Sequence, residues 1–118
     1  MNLLQEREYY KPFVYPWAFE FYKRQQQMHW LPDEVPLQDD IKDYNQKLSE
    51  GERTLIDNIF KFFTQADVDV CCGYAKHYLP TFKQPEVRMM LVSYAAMEAV
   101  HQEAYSLLLE TLGKSDDM

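Results

Sequence analysis

The sequence predicts an all-α protein, and three observations carry that reading. Only three glycines occur in 118 residues. The turn-forming residues gather in two short stretches, Leu31 to Pro36 and Leu79 to Pro85, as they do between long helices rather than between strands. Apolar side chains recur at steps of three and four over long runs, which is the period of a helix face.

A first helix is expected from Pro16 to about Met28. Proline presets the backbone of its first turn, and Trp17, Phe21 and Met28 recur at helical spacing. His29 to Val35 follows as a loop holding Trp30 between polar stretches. Ser49 followed by Glu52 has the form of a capping box, and the helix it opens can run through Phe63 and Tyr74 to about Tyr78. A third helix is expected after Pro85, with Glu86 in its first turn and Gly113 as the residue that stops it. The polar tail Lys114 to Met118 reads as cut rather than finished, and no internal repeat, low-complexity run or domain linker is evident.

An apolar share of 47% is ample for a buried core. The formal charge of −7 argues against a surface built to hold phosphate backbones or anionic lipid, so neither nucleic acid nor membrane is expected as a direct partner. No apolar stretch approaches the roughly 18 residues of a membrane span, and the N-terminus lacks the basic start and apolar run of a secretory signal. A cytoplasmic location is expected. Cys71 and Cys72 are adjacent, which suits neither a disulfide framework nor a zinc site, and they read as reduced thiols.

Two helix faces are interrupted by the same kind of residue. On the third helix Val87, Leu91, Tyr94, Glu98, His101, Tyr105, Leu108 and Leu112 alternate by four and three, so Glu98 and His101 sit in the middle of a core-facing seam. On the second, Ile56, Phe60, Phe63, Asp67, Val70 and Tyr74 form a like seam with Asp67 as its one charged member. A carboxylate at a core position implies a partner, a proton or a cation. If the short segment from Leu79 to Pro85 joins antiparallel helices, Asp67 and Glu98 lie about 16 and 18 Å from that connection at about 1.5 Å per residue. They are therefore level. Glu98 and His101, three apart, project from one face and can reach a single ion, at about 2 to 2.5 Å, with Asp67 arriving from across.

Glu-x-x-His by itself is a weak signal, because glutamate and histidine usually sit on solvated surfaces. The seam positions and the levelled Asp67 favour a metal site, since three polar residues would otherwise share a dry core. A buried Asp-His-Tyr hydrogen-bond network without metal is the competing account. His29 and His77 fall at helix ends and read as surface or capping residues, and the abundant Tyr and Phe read as packing.

Bundles that hold two iron or manganese ions take a carboxylate from each of two helices and a Glu-x-x-His from each of two others. Within that group the sequence resembles the small, radical-generating subunit of class I ribonucleotide reductases. The residues that carry the likeness are Glu98-Ala99-Val100-His101 followed by Tyr105, Asp67 within Gln65-Ala66-Asp67-Val68, Tyr15-Pro16-Trp17, and the run His29-Trp30-Leu31-Pro32-Asp33-Glu34-Val35. The likeness extends from about Lys11 to Leu112.

The resemblance implies a ferritin-like helical bundle of which the N-terminal helices and the first helix pair are present, so that residues 1–118 are expected to be the N-terminal part of an incomplete domain. It implies a dinuclear metal cofactor, iron first, with manganese or a mixed pair also suited. Asp67, Glu98 and His101 would be metal ligands, Tyr105 the radical site and Trp30 the radical-transfer residue. The implied partners are the reductase large subunit, a second copy of the completed small subunit, and the missing C-terminal helices, from a parent or a second polypeptide. The family's subunit is roughly three times this length, and its second helix pair supplies another carboxylate and a second Glu-x-x-His that this sequence lacks. No phosphate-cradling glycine loop occurs, so no nucleotide is expected to bind here. The alternatives are a ferritin-like dimetal oxidase or oxygenase, which normally carries Glu where Asp67 stands, and a non-catalytic helical interaction module.

Overall fold

Helix α1 spans Pro16–Gln27 and begins on its proline, with Tyr15 offering no capping side chain. The Met28 N–H closes the last turn on the Arg24 carbonyl at 3.0 Å. These elements come from a computed structural model that describes residues 1–113, so the reading of Lys114–Met118 as a cut tail lies outside the described residues. Among the described residues every regular element is helical. None of the helices is long and apolar enough to cross a membrane.

The segment after α1 holds a short 3-10 turn, Pro32–Glu34, and then a helix the sequence does not announce, α2 (Gln38–Gln46). Its start lacks a capping side chain, which removes the usual N-terminal signal. What holds it is packing and charge. Tyr44 is buried, and Asp39 and Asp40 stand in the first turn beside the free N–H groups.

Helix α3 (Glu50–Gly73) opens on the expected capping box: the Ser49 N–H donates to Glu52 Oε1 at 2.9 Å, and the Glu52 N–H donates to Ser49 Oγ at 3.2 Å. The helical path does continue to Tyr78, but Tyr74–Tyr78 forms a π turn, in which the Leu79 N–H reaches back to the Tyr74 carbonyl. A short helix α4 (Leu79–Thr81) follows, so the non-helical connection shrinks to residues 82–84. Helix α5 (Pro85–Thr111) then runs to Gly113, whose φ of 79° ends it in the left-handed region that glycine adopts without strain.

Packing divides the protein into two units. The first comprises residues 1–29 and 69–99. Its core is Ala18, Val87 and Leu91, with Tyr15, Tyr74, Leu79, Phe82 and Met90 packed against them. Here Glu86, at the start of α5, is fully buried and paired with Arg7. The Val14 and Tyr15 N–H groups each donate to Glu86 Oε2 at 2.9 Å, and Arg7 also donates to the carbonyls of Tyr9 and Tyr10 at 2.9 and 3.0 Å. Buried Gln84 donates to the Gln5 carbonyl at 2.8 Å. The N-terminal segment is thus fastened to the root of α5. In the same unit the Cys71 thiol lies 3.6 Å from the Ala95 carbonyl, while Cys72 is exposed.

The second unit comprises, among the described residues, 30–68 and 100–113. The Tyr44 hydroxyl donates to the Asp57 carboxylate at 2.9 Å, and the Arg53 guanidinium lies over the Tyr44 ring at 6.0 Å. This contact ties α2 to α3. Leu37, Leu48, Ile56, Phe60, Leu108 and Leu112 line an apolar cavity of about 340 Å³ beside it.

Candidate metal centre

Asp67 stands on α3, and Glu98 and His101 stand three residues apart on α5, which places the latter two on one helix face. Each of the three offers a ligand atom, and these atoms all lie within 4.8 Å of one another. The convergence expected from the two seams is present. All three side chains are half-buried. Gln102 steadies the Asp67 turn by donating from Nε2 to the Asp67 carbonyl oxygen at 3.3 Å.

One atom of Asp67 is informative by itself. Asp67 Oδ2 is buried and has no hydrogen-bond partner. A carboxylate oxygen in that position loses its hydration without compensation, which costs several kcal/mol unless something positive meets it. No Lys or Arg forms an ion pair with Asp67 among the described residues. Two carboxylates and an imidazole form a donor set suited to divalent iron or manganese, so the residues present fit a metal ion.

The aromatic surroundings are specific. The Trp30 ring lies 6.5 Å from the His101 ring, inclined by 36°. Tyr105, one turn beyond His101 on α5, lies beside two phenylalanines: Phe63 is stacked on it at 5.7 Å and 16°, and Phe60 stands at 6.1 Å and 33°. On the other side of the ligand pair along α5, Tyr94 stands 6.5 Å from the Tyr74 ring. Burial, followed by the charge of Glu98 and the neighbouring Tyr78 and Tyr94, pushes the Tyr74 phenol above its ordinary value.

His29 and His77 are exposed and take no part in the group. Periodicity puts Phe60 and Phe63 on the α3 seam but does not by itself make them neighbours of Tyr105. A signal for that exists. The antiparallel register that sets Asp67 level with Glu98 also sets Phe60 and Phe63 level with residues 102–105. Gln102 carries no signal, since its contact is made to backbone.

Residues 7–118 match the family model described as "Ribonucleotide reductase, small chain". The sequence is 51% identical over 113 residues to a probable ribonucleoside-diphosphate reductase small subunit of Invertebrate iridescent virus 6, a match that covers 96% of this protein and 31% of that one. It is 34% identical over 100 residues to the ribonucleoside-diphosphate reductase small subunit of Dictyostelium discoideum, covering 85% of this protein and 30% of the relative. The sequence thus spans about a third of the length of the curated relatives it matches. Among solved structures, that of the ribonucleotide reductase Rnr4 homodimer from Saccharomyces cerevisiae matches with a TM-score of 0.86 at 22% identity, over 96% of this protein and 37% of that one. At that identity the likeness speaks for the fold, an all-α fold of the ferritin-like class. The family match over nearly the whole length decides the assignment: this chain belongs to the ribonucleotide reductase small-chain family.

Proposed function

We propose that the protein forms part of the small subunit of a ribonucleoside-diphosphate reductase, in which Asp67, Glu98 and His101 are ligands of a dimetal centre, Tyr105 carries a neutral radical, and Trp30 relays the oxidising equivalent toward a large catalytic subunit that makes deoxyribonucleotides. The observation that carries this reading is that Asp67, Glu98 and His101 each bring a ligand atom within 4.8 Å of the others, while Asp67 Oδ2 is left buried without a hydrogen-bond partner. An iron pair, or a manganese or mixed pair, would supply the one-electron oxidising power, with oxygen or a reduced oxygen species as the ultimate acceptor.

The protein's own residues then have distinct tasks. Asp67 Oδ2 can take a cation without first giving up a hydrogen bond. Glu98 adds a second carboxylate oxygen and His101 a ring nitrogen. Tyr105 gives up one electron and its phenolic proton, and the Phe60 and Phe63 rings packed against it cover part of the phenoxyl that results. Trp30, in ring contact with His101, offers the next oxidisable group. A centre of this kind draws about six protein ligands, of which this polypeptide offers three. The others are proposed to come from a longer parent or a second polypeptide. The yeast neighbour is described as a homodimer, and the completed small subunit is proposed to pair likewise.

Metal analysis of the protein after equilibration with ferrous iron or manganese tests the reading. It should retain metal, Asp67→Asn, Glu98→Gln and His101→Gln should each release it, and Tyr105→Phe should not. Undiminished retention by Asp67→Asn would remove the site.

A further inference from the structure

Tyr94 and Tyr105 bracket the Glu98/His101 pair along α5, one turn to each side. The proposed function uses Tyr105 and leaves Tyr94 without a task. Tyr94 does not end in featureless packing. Its ring lies 6.5 Å from that of Tyr74, which lies 5.6 Å from that of Tyr78. The first two are half-buried, whereas Tyr78 is 49% exposed. The series therefore begins one turn from a metal-ligating carboxylate and ends in water.

The backbone marks the same place independently. Tyr74 and Tyr78 are the first and last residues of the π turn, the one interruption of regular α geometry between Glu50 and Thr81. Such turns widen the helix at some cost in hydrogen-bond geometry and recur at functional sites. At the two half-buried positions, Tyr74 and Tyr94, a phenylalanine would pack without a hydroxyl to satisfy, so tyrosines in ring contact there call for more than packing.

We propose that Tyr94, Tyr74 and Tyr78 form a second electron path, separate from Tyr105 and Trp30, by which a reductant in solution delivers single electrons to metal held at Glu98. The path rests on the metal reading above. Tyr94 passes one electron to the oxidised metal and recovers one from Tyr74, which recovers one from Tyr78. Both inner residues start and end as phenols. Tyr78 loses its phenolic proton to water and becomes a phenoxyl radical, and a soluble hydrogen-atom donor such as ascorbate restores it. In sum, the metal gains one electron, the donor loses one hydrogen atom, and one proton enters solution. Such a path can reset an over-oxidised centre without consuming the Tyr105 radical.

Tyr9 and Tyr10 are 50% and 47% exposed, which matches Tyr78 closely and makes them internal controls. The completed protein is loaded with ferrous iron, exposed to oxygen in the presence of a nitroso spin trap, and digested, and the adduct at each tyrosine is counted by mass spectrometry. Tyr78 should carry several-fold more adduct than Tyr9 or Tyr10. Tyr74→Phe and Tyr94→Phe, which keep the ring packing, should each bring Tyr78 down to the control level and leave the adduct at Tyr105 unchanged. Equal labelling of Tyr78 and Tyr9 alongside a labelled Tyr105, or Tyr78 labelling that survives both substitutions, overturns the path and leaves the metal reading standing. Absence of any iron-dependent adduct, Tyr105 included, overturns both.

Discussion

Asp67 and Trp30 show how differently two residues of the proposed site announce themselves. Asp67 is visible because burial of a charge in an apolar helix face is expensive, so its position in the seam of Phe60, Phe63 and Val70 already demands a counterpart. The same logic finds Glu98 and His101. Trp30 breaks no pattern, because it sits in an irregular stretch and meets a His101 that lies far along the sequence. No periodicity connects them, and only the likeness of its flanking residues to a known family marks it. Its proposed role has a sharp consequence. In the completed protein, Trp30→Phe should leave metal loading and the Tyr105 radical signal near wild-type levels while nucleotide reduction falls. Full turnover by that variant, measured as deoxynucleotide formed per radical, would take Trp30 out of the route.

At the level of elements, what can be read is whatever local chemistry dictates. The capping box at Ser49 and Glu52, Pro16 at the start of α1 and Gly113 after α5 act within a turn of themselves, so they appear in the sequence as they do in the structure. Helix α2 and the π turn depend on contacts made elsewhere, the first on Tyr44 reaching Asp57 and the second on packing in the first unit. Glu86 belongs to the same class. Its place in the first turn of α5 suggests only a favourable interaction with the helix dipole, yet it accepts from Arg7, Val14 and Tyr15. Burial pushes the Glu86 carboxyl up, but the Arg7 guanidinium and the Tyr15 N–H more than offset this and hold it below the ordinary 4.5. A depressed carboxyl contributes stability that is complete above its unfolded value and disappears as pH falls through the lower folded one. The urea midpoint should therefore be flat from neutral pH to about 5 and decline below the unfolded value near 4.5. Glu86→Gln leaves Arg7 buried without its counter-charge and should cost roughly 3 to 5 kcal/mol, with a shallower acid decline. An unchanged midpoint would show that the clamp carries no weight.

For the whole molecule, helical class is legible because periodicity is a property of every segment, whereas the division into two units arises only when segments pack. The surface of α3 carries the consequence. None of its residues is buried, and Leu55, Phe62 and Phe63 are 61%, 68% and 42% exposed, with Ile59 and Val70 exposed beside them. A contiguous apolar face of that kind marks a surface that seeks a partner. The relatives, about three times longer, have further residues with which to cover it. In this polypeptide by itself the same face should drive self-association or leave α3 only marginally stable. Association can also be linked to metal, since two copies brought together in a symmetric pair contribute two Asp67, two Glu98 and two His101, as many ligands as a dimetal centre requires. Sedimentation across a metal titration separates the cases. Apolar association persists when metal is chelated, whereas metal-linked pairing appears with a stoichiometry of one ion per protomer and is lost in His101→Gln. A well-folded monomer that binds two ions tightly, with no second polypeptide, would overturn the ligand count on which the proposal of an incomplete centre rests.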